Sequence, residues 1–337
     1  MKRWNVVYFF DGTNADRHRT ETRDWSNIVR LYMMVPPNAP GGVEQWKPDE
    51  DGVGTRVNET ILGSSGGVGL EKRVEESYLH LGSVCRKAKK EGATPFVYVF
   101  GFSRGAYAAR WFTALVDYCG IPANAAPYDR IKKCFKDKDE GCLSQLRRDG
   151  LIGDAPEFSM LGLFDTVQST IFKGDFDVHI LPRIVKRCYH AMAFNERRPY
   201  FPVERFVRDP ERITEAWFLG SHTDIGGGYV ERGLADRSLE WMVENARDCG
   251  LFVNDGPIVG DMAVHRDSFH NSLTIGWRIA GWLCARKAKD RELESGDKFH
   301  WDARDLRPMF ADVRPALPPE EEMAYLDRRA GANLARA

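Results

Sequence analysis

Ser103 stands between two glycines in Gly101-Phe102-Ser103-Arg104-Gly105, and Asp165 and His222 follow it along the chain. A serine hydroxyl is a weak nucleophile at neutral pH; it needs a base to take its proton and a carboxylate to orient that base. Serine, then carboxylate, then histidine is the order in which α/β-hydrolases supply these groups. The chemistry open to such a set is acyl transfer to water. Ser103 attacks a carbonyl, His222 takes and returns the proton, Asp165 steadies the imidazolium, and backbone amides hold the oxyanion. The amide after the nucleophile belongs to Arg104, and Gly12-Thr13, in the loop after an earlier strand, offers the second donor. Asp11 and Asp224 adjoin these positions and are read as supporting the site. Asp224, two residues after His222, also competes with Asp165 as the histidine's partner, with a structural role favoured for it.

A Gly-x-Ser-x-Gly pentad arises by chance in many proteins, so its setting decides. Before it runs Pro95-Phe96-Val97-Tyr98-Val99-Phe100, a continuous apolar stretch suited to a central parallel strand covered on both faces. After it come Ala106 to Val116, rich in helix formers and free of glycine and proline. Strand, sharp turn and helix in that order are what a nucleophile elbow requires. Asp165 closes an apolar strand over 158–164, and His222 follows another over 216–219. Both are therefore expected at the C-terminal edge of a parallel sheet, the ligand side of open α/β folds.

The remaining elements fit the same architecture. Val6-Val7-Tyr8-Phe9-Phe10 reads as a buried strand ending at the turn formers Asp11-Gly12-Thr13-Asn14. From Leu70, apolar residues recur at threes and fours until Gly92, a helix. A further strand is read at 189–194 and a helix at 234–248. Alternating strands and helices imply an α/β-hydrolase-like, doubly wound, mostly parallel sheet with helices on both faces. The expected organisation is one catalytic domain over 1–315, with cap-like helical insertions near 122–153 and 256–300 and a helical tail over 316–337.

Composition excludes several function classes. Lys and Arg number 48 against 49 Asp and Glu, so no global field draws the chain to nucleic acid or an anionic membrane. Seven cysteines without a Cys-x-x-Cys pair read as reduced thiols. The start shows no secretion signal, so synthesis in the cytoplasm is expected. Gly63-Ser64-Ser65-Gly66-Gly67-Val68-Gly69 lacks the Gly-Lys-Ser/Thr of a phosphate loop, and Asp49-Glu50-Asp51-Gly52 lacks the later ligands of a calcium loop. His265 and His270 have no zinc spacing, so no metal or cofactor is expected.

Five segments in chain order resemble one family: Phe10-Asp11-Gly12-Thr13-Asn14, Asp51-Gly52-Val53-Gly54-Thr55, Gly101-Phe102-Ser103-Arg104-Gly105-Ala106, Phe164-Asp165-Thr166-Val167, and Gly220-Ser221-His222-Thr223-Asp224-Ile225-Gly226-Gly227-Gly228-Tyr229. It is the bacterial and fungal α/β-hydrolase family that includes the type VI secretion phospholipase effectors. The resemblance implies a triad of Ser103, Asp165 and His222 and phospholipase A activity in the effector branch. It also implies a lipid substrate, transient membrane-surface contact, delivery by a secretion system and an immunity protein as partner. A small-molecule esterase or amidase, or a catalytically silent interaction module, is the alternative. Trp277, Ile279, Trp282 and Leu283 form an apolar face read as a core-packing helix in preference to a lipid-contacting lid. A long acyl chain calls for an apolar pocket, for which the aromatic and aliphatic residues of Leu273 to Leu283, with Trp111 and Phe112, are the candidate walls.

Overall fold

The computed structural model describes residues 2–12, 25–48, 66–124, 126–167, 178–199, 201–255, 268–273, 289–310, 312–313 and 315–326. In chain order the first half builds β1 (Lys2–Phe10), α1 (Asn27–Met34), β2 (Asn38–Ala39), β3 (Val43–Trp46), α2 (Gly66–Lys90), β4 (Ala93–Phe102) and α3 (Arg104–Cys119). An excursion of β5 (Ile121–Pro122), α4 (Tyr128–Asp137), α5 (Glu140–Arg148) and β6 (Ile152–Gly153) follows. The second half supplies β7 (Glu157–Phe164), β8 (Cys188–Ala193), β9 (Ile213–Phe218), α6 (His222–Gly226) and α7 (Gly233–Asp248).

Seven strands form one sheet in the order β2-β3-β1-β4-β7-β8-β9, parallel throughout except for the short β2 beside β3. Alternate side chains of a strand point to opposite faces. Val6, Tyr8 and Phe10 of β1 and Val97 and Val99 of β4 therefore pack on α2 and α3 through Tyr78, Leu81, Phe112 and Leu115. On the other face Val7, Phe9, Tyr98 and Phe100 meet Ile28 and Leu31 of α1 and Leu239 and Met242 of α7. Burial on both faces is why these strands read as unbroken apolar runs. The sheet is largely parallel with helices on both sides, the doubly wound α/β arrangement expected from the sequence.

β1 begins before its apolar run because its polar residues find partners inside the sheet. Arg3 donates to Tyr98 Oη at 2.7 Å, and Asn5 donates to Gln45 Oε1 at 3.0 Å. The excursion after α3 is helical, closed at its base by antiparallel β5 and β6. The reading of all cysteines as reduced thiols is corrected here, because Cys134 of α4 and Cys142 of α5 form a disulfide, with Cα atoms 5.8 Å apart. Folding the two helices against each other brings together cysteines whose spacing in sequence carries no signal. The described part of the tail is also not α-helical. After Pro318 and Pro319 it makes a 3-10 turn at Glu320–Glu322, and Tyr325 then bridges Phe299, itself bridged to Trp217 of β9.

Candidate active site

The parallel register aligns the strand ends that carry the candidate residues. Phe10 lies opposite Gly101, Phe102 opposite Phe164, and Phe164 opposite Ala191. Asp11, Ser103, Asp165, Asn195 and Glu196 thus leave the sheet along one edge.

Ser103 sits at φ 59° and ψ −129° between β4 and α3, a conformation that costs a non-glycine residue about 1–3 kcal/mol. The flanking glycines make the turn sterically possible. A Cβ at Gly101 would lie 2.6 Å from the Ala106 Cα, and one at Gly105 would lie 2.1 Å from the Phe10 carbonyl oxygen. Neither neighbour is a flexible side chain, so the space cannot be made by a rotamer change. The turn is pinned by Ser103 N–H donating to the Phe164 carbonyl at 3.0 Å. Arg104 opens α3, where first-turn amides have no acceptor within the helix and the dipole end is positive.

The three candidate side chains lie in one hydrogen-bonded line. His222 Nε2 is 2.8 Å from Ser103 Oγ, and His222 Nδ1 is 2.5 Å from Asp165 Oδ2. All three residues are buried. Burial lowers the His222 pKa below the ordinary imidazole value, outweighing the hydrogen bond and charge of Asp165. The ring is therefore neutral at neutral pH. A neutral ring with Nδ1–H donating to Asp165 leaves Nε2 to accept from Ser103, the arrangement of a general base. The rings of Phe102 and Phe201 cover the imidazole, with centroids 4.7 and 5.1 Å away.

Asp165, at φ 40°, accepts from Ala193 N–H at 2.8 Å and from both terminal nitrogens of Arg291, Nη1 to Oδ1 at 2.5 Å and Nη2 to Oδ2 at 3.0 Å. Burial alone would raise its pKa, but the Arg291 charge and the His222 hydrogen bond prevail and hold the carboxyl well below its usual range. Glu196 supports the histidine from the backbone side. It accepts from His222 N–H at 3.2 Å, from Ser272 Oγ at 2.8 Å and from the Arg198 guanidinium. Burial pushes the Glu196 carboxyl up, yet Arg198 brings it down to about 2.

The other sequence candidates fall into place individually. Asp11 is buried; it accepts from Gly12 N–H at 2.7 Å and Ser26 Oγ at 2.5 Å, tying the end of β1 to the N-cap of α1. Gly12 lies beside the serine, where a Cβ would be 3.3 Å from Ser103 Cβ, but its amide is engaged by Asp11. Thr13 lies outside the described residues, as do the Asp49 to Thr55 segment, Gly63 to Ser65, His265 and the 274–288 stretch with Trp277, Ile279, Trp282 and Leu283. Asp224 does not touch the imidazole. Its Oδ2 accepts from Ser221 N–H at 2.9 Å, capping α6, and its Oδ1 pairs with His270 Nδ1 at 2.6 Å.

Trp111 and Phe112, expected as pocket walls, are buried in the core cluster between α3 and the sheet. There Phe112 packs on Tyr8, Phe10 and Phe158. The cavity of about 500 Å³ next to the site is instead walled largely by charged residues, among them Glu196, Arg198, Arg205 and Arg291, with Phe201 and Val203. Among the described residues no group of three His, Cys, Asp or Glu side chains could hold a metal ion.

Sequence reasoning missed Arg291, Glu196 and His270. Glu196 had a signal, since it follows a buried strand at the same edge as Asp165. Arg291 had none, because nothing near residue 291 marks it as the partner of a carboxylate 126 positions away.

The family described as T6SS, phospholipase effector Tle1-like, catalytic domain matches residues 4–245. No curated protein matches the chain. Among solved structures it is similar to an uncharacterized protein from Pseudomonas aeruginosa, at 19% identity and TM-score 0.49, over 86% of this chain and 52% of that one. It is also similar to the Tle1 effector bound to the VgrG spike of the type 6 secretion system, at 15% identity and TM-score 0.48, over 86% and 82%. An alpha-beta serine hydrolase homologue from Coxiella burnetii is more distant, at 12% identity and TM-score 0.32, over 72% and 84%. The chain thus spans about half the length of the Pseudomonas protein. The family match runs from β1 into α7 and takes in Ser103, Asp165 and His222, so this chain belongs to the Tle1-like phospholipase effectors of type VI secretion, through their catalytic domain.

Proposed function

We propose that this chain hydrolyses carboxylic esters of glycerophospholipids through an acyl-enzyme on Ser103. The observation that carries the reading is the unbroken line from Ser103 Oγ through His222 to Asp165, in a site where the imidazole is neutral. His222 Nε2 takes the hydroxyl proton as Ser103 Oγ bonds to the acyl carbon, and returns it to the departing alcohol oxygen. A water then enters, gives its proton to His222, attacks the acyl carbon and releases a fatty acid as the proton goes back to Ser103. Asp165 holds Nδ1–H throughout and stabilises the imidazolium. The Arg104 amide is the first oxyanion donor. A second comes from the Gly12-Thr13 loop; for Gly12 to serve, its N–H must leave Asp11.

Family membership supports phospholipid as the substrate class and delivery through a type VI system. A spike protein, such as the one bound by the Tle1 effector, and an immunity protein are proposed as partners on the resemblance alone. The test is fatty-acid release from long-chain phospholipid vesicles by the wild type and by Ser103→Ala. Release that rises as lipid passes from monomers to aggregates, and vanishes in the variant, is the expected result. Faster turnover of acetyl and butyryl esters, with no fatty acid from vesicles, would establish a small-ester hydrolase in its place.

A further inference from the structure

We infer that Arg291 is a positioning residue for the hydrolytic reaction: it locks Asp165 in its working orientation and keeps the His222 ring from being drawn to its charged form. The inference rests on the acyl-enzyme reading for its kinetics, but not for its electrostatics.

The geometry is that of a clamp. Two guanidinium nitrogens meet the two carboxylate oxygens, Nη1 to Oδ1 and Nη2 to Oδ2, and the same nitrogens donate to the carbonyls of Ala193 and Phe201. Side-chain exposure is 5% for Arg291 and 0% for Asp165, so the pair is shielded from water. A bidentate pair of this kind fixes the carboxylate plane as well as its place. Asp165 then has no freedom to rotate away from His222 Nδ1.

The charge balance gives the clamp its chemical meaning. A lone buried carboxylate 2.5 Å from Nδ1 would stabilise the imidazolium strongly and leave the base protonated when it is needed neutral. Arg291 offsets that charge, so orientation is retained while the pull on the proton is reduced. The other charged groups facing His222 are Glu196, on its backbone amide, and Arg198, which neutralises Glu196. Asp224, on the same helix, is turned to His270. Arg104 adjoins Ser103 at the start of α3.

The clamp comes from a segment that is itself strapped down. Asp290 pairs with Arg197, Asp297 with Arg205, and Trp217 N–H donates to the Lys298 carbonyl. A segment distant in sequence thus reaches the triad through one side chain.

The test follows kcat, KM and fluorophosphonate labelling of Ser103 from about pH 5 to 9, across the range where imidazoles titrate, in the wild type, Arg291→Gln and Arg291→Lys. In Arg291→Gln the acid limb should move up by about one pH unit, as expected for loss of a charge near the pair. Its kcat should fall roughly 10- to 100-fold with KM within about twofold, the pattern for loss of a supporting partner. Arg291→Lys should lie between the two. A folded Arg291→Gln protein whose acid limb stays in place overturns the inference. Should that variant misfold, imidazole NMR of the wild type and Arg291→Lys decides: His222 must titrate higher in the variant than in the wild type, and an unchanged titration refutes the clamp's electrostatic role. A wild type that fluorophosphonate does not label defeats the acyl-enzyme reading alone, and the NMR titration still judges Arg291.

Discussion

Ser103 and Asp165 both stand at the end of a parallel strand and both have positive φ, 59° and 40°, yet their side chains are placed by different means. The serine turn is built from backbone and from missing side chains: Gly101 and Gly105 leave room, and one main-chain hydrogen bond to Phe164 pins it. The backbone of Asp165 is pinned in the same way, its N–H donating to the Ala191 carbonyl at 2.7 Å, but its carboxylate is held by the charge of Arg291, brought from afar, and by a hydrogen bond from His222. The first arrangement is sensitive to added volume, the second to lost charge. Local strain sets the nucleophile, whereas long-range electrostatics set its base.

Substitutions can separate the two. Ser103→Ala should remove about four to six orders of magnitude in rate, with a melting curve close to wild type, because the hydroxyl is a reacting group on a turn shaped by its neighbours. Turnover within about tenfold of wild type would refute Ser103 as nucleophile.

Asp165→Asn should behave otherwise. It should cost about four orders of magnitude in rate, and also about 3–5 kcal/mol of stability, since it strands Arg291 as a buried cation. The double variant Asp165→Asn/Arg291→Gln should recover part of that stability in urea unfolding and none of the rate. If the single variant is as stable as wild type, Asp165 is not held by charge.

Acid should loosen the electrostatic side first. The Glu196 carboxyl is held down from the ordinary 4.5 to about 2, so its contribution is complete above 4.5 and is lost as pH falls towards 2. His222 acts in the same direction at higher pH. Its folded pKa is lowered, so below the ordinary imidazole range the unfolded chain binds a proton that the folded chain resists, and stability falls. Glu196→Gln should remove its own share of the acid loss, about 3 kcal/mol, from a pH series of urea midpoints, while the share of Asp165, whose carboxyl is also held low, remains.

Gly105→Ala tests the steric side. A Cβ 2.1 Å from a backbone oxygen must move α3 or β1, costing about 1–3 kcal/mol or more, with activity lost as the elbow shifts. A neutral result would mean the pentad glycines are incidental. Asp224→Asn should have the smallest effect, about 1 kcal/mol for a weakened cap, with a far milder loss of rate than Asp165→Asn. The reverse ranking in side-by-side kinetics would exchange the roles of the two carboxylates.

Much of the fold was legible because its determinants are local. A strand covered on both faces must be apolar at every position, so β1, β4 and β7 announce themselves, and α2 and α7 show the helical period. α1 is eight residues long, too short for a periodic signal; it is marked only by Ser26, whose Oγ accepts from Val29 N–H as its cap. β2 and β3 are shorter still. Within the site, the order Ser103, Asp165, His222 could be read because each follows a strand, and parallel strands end on one edge.

What the sequence determined by itself is whatever a few adjacent residues enforce: the glycines that permit a strained serine, the apolar runs, and the chain order of nucleophile, acid and base. Only the tertiary structure decided which carboxylate meets the imidazole. It turns Asp224 to its own helix cap and to His270, and delivers Asp165 to Nδ1. It alone joins Cys134 to Cys142, buries Trp111 and Phe112 in the core and brings Arg291 onto Asp165. The reason is physical. Backbone strain and hydrophobic period act over a handful of residues and leave a trace in composition, whereas a buried ion pair depends on a distance in space that no spacing along the chain encodes.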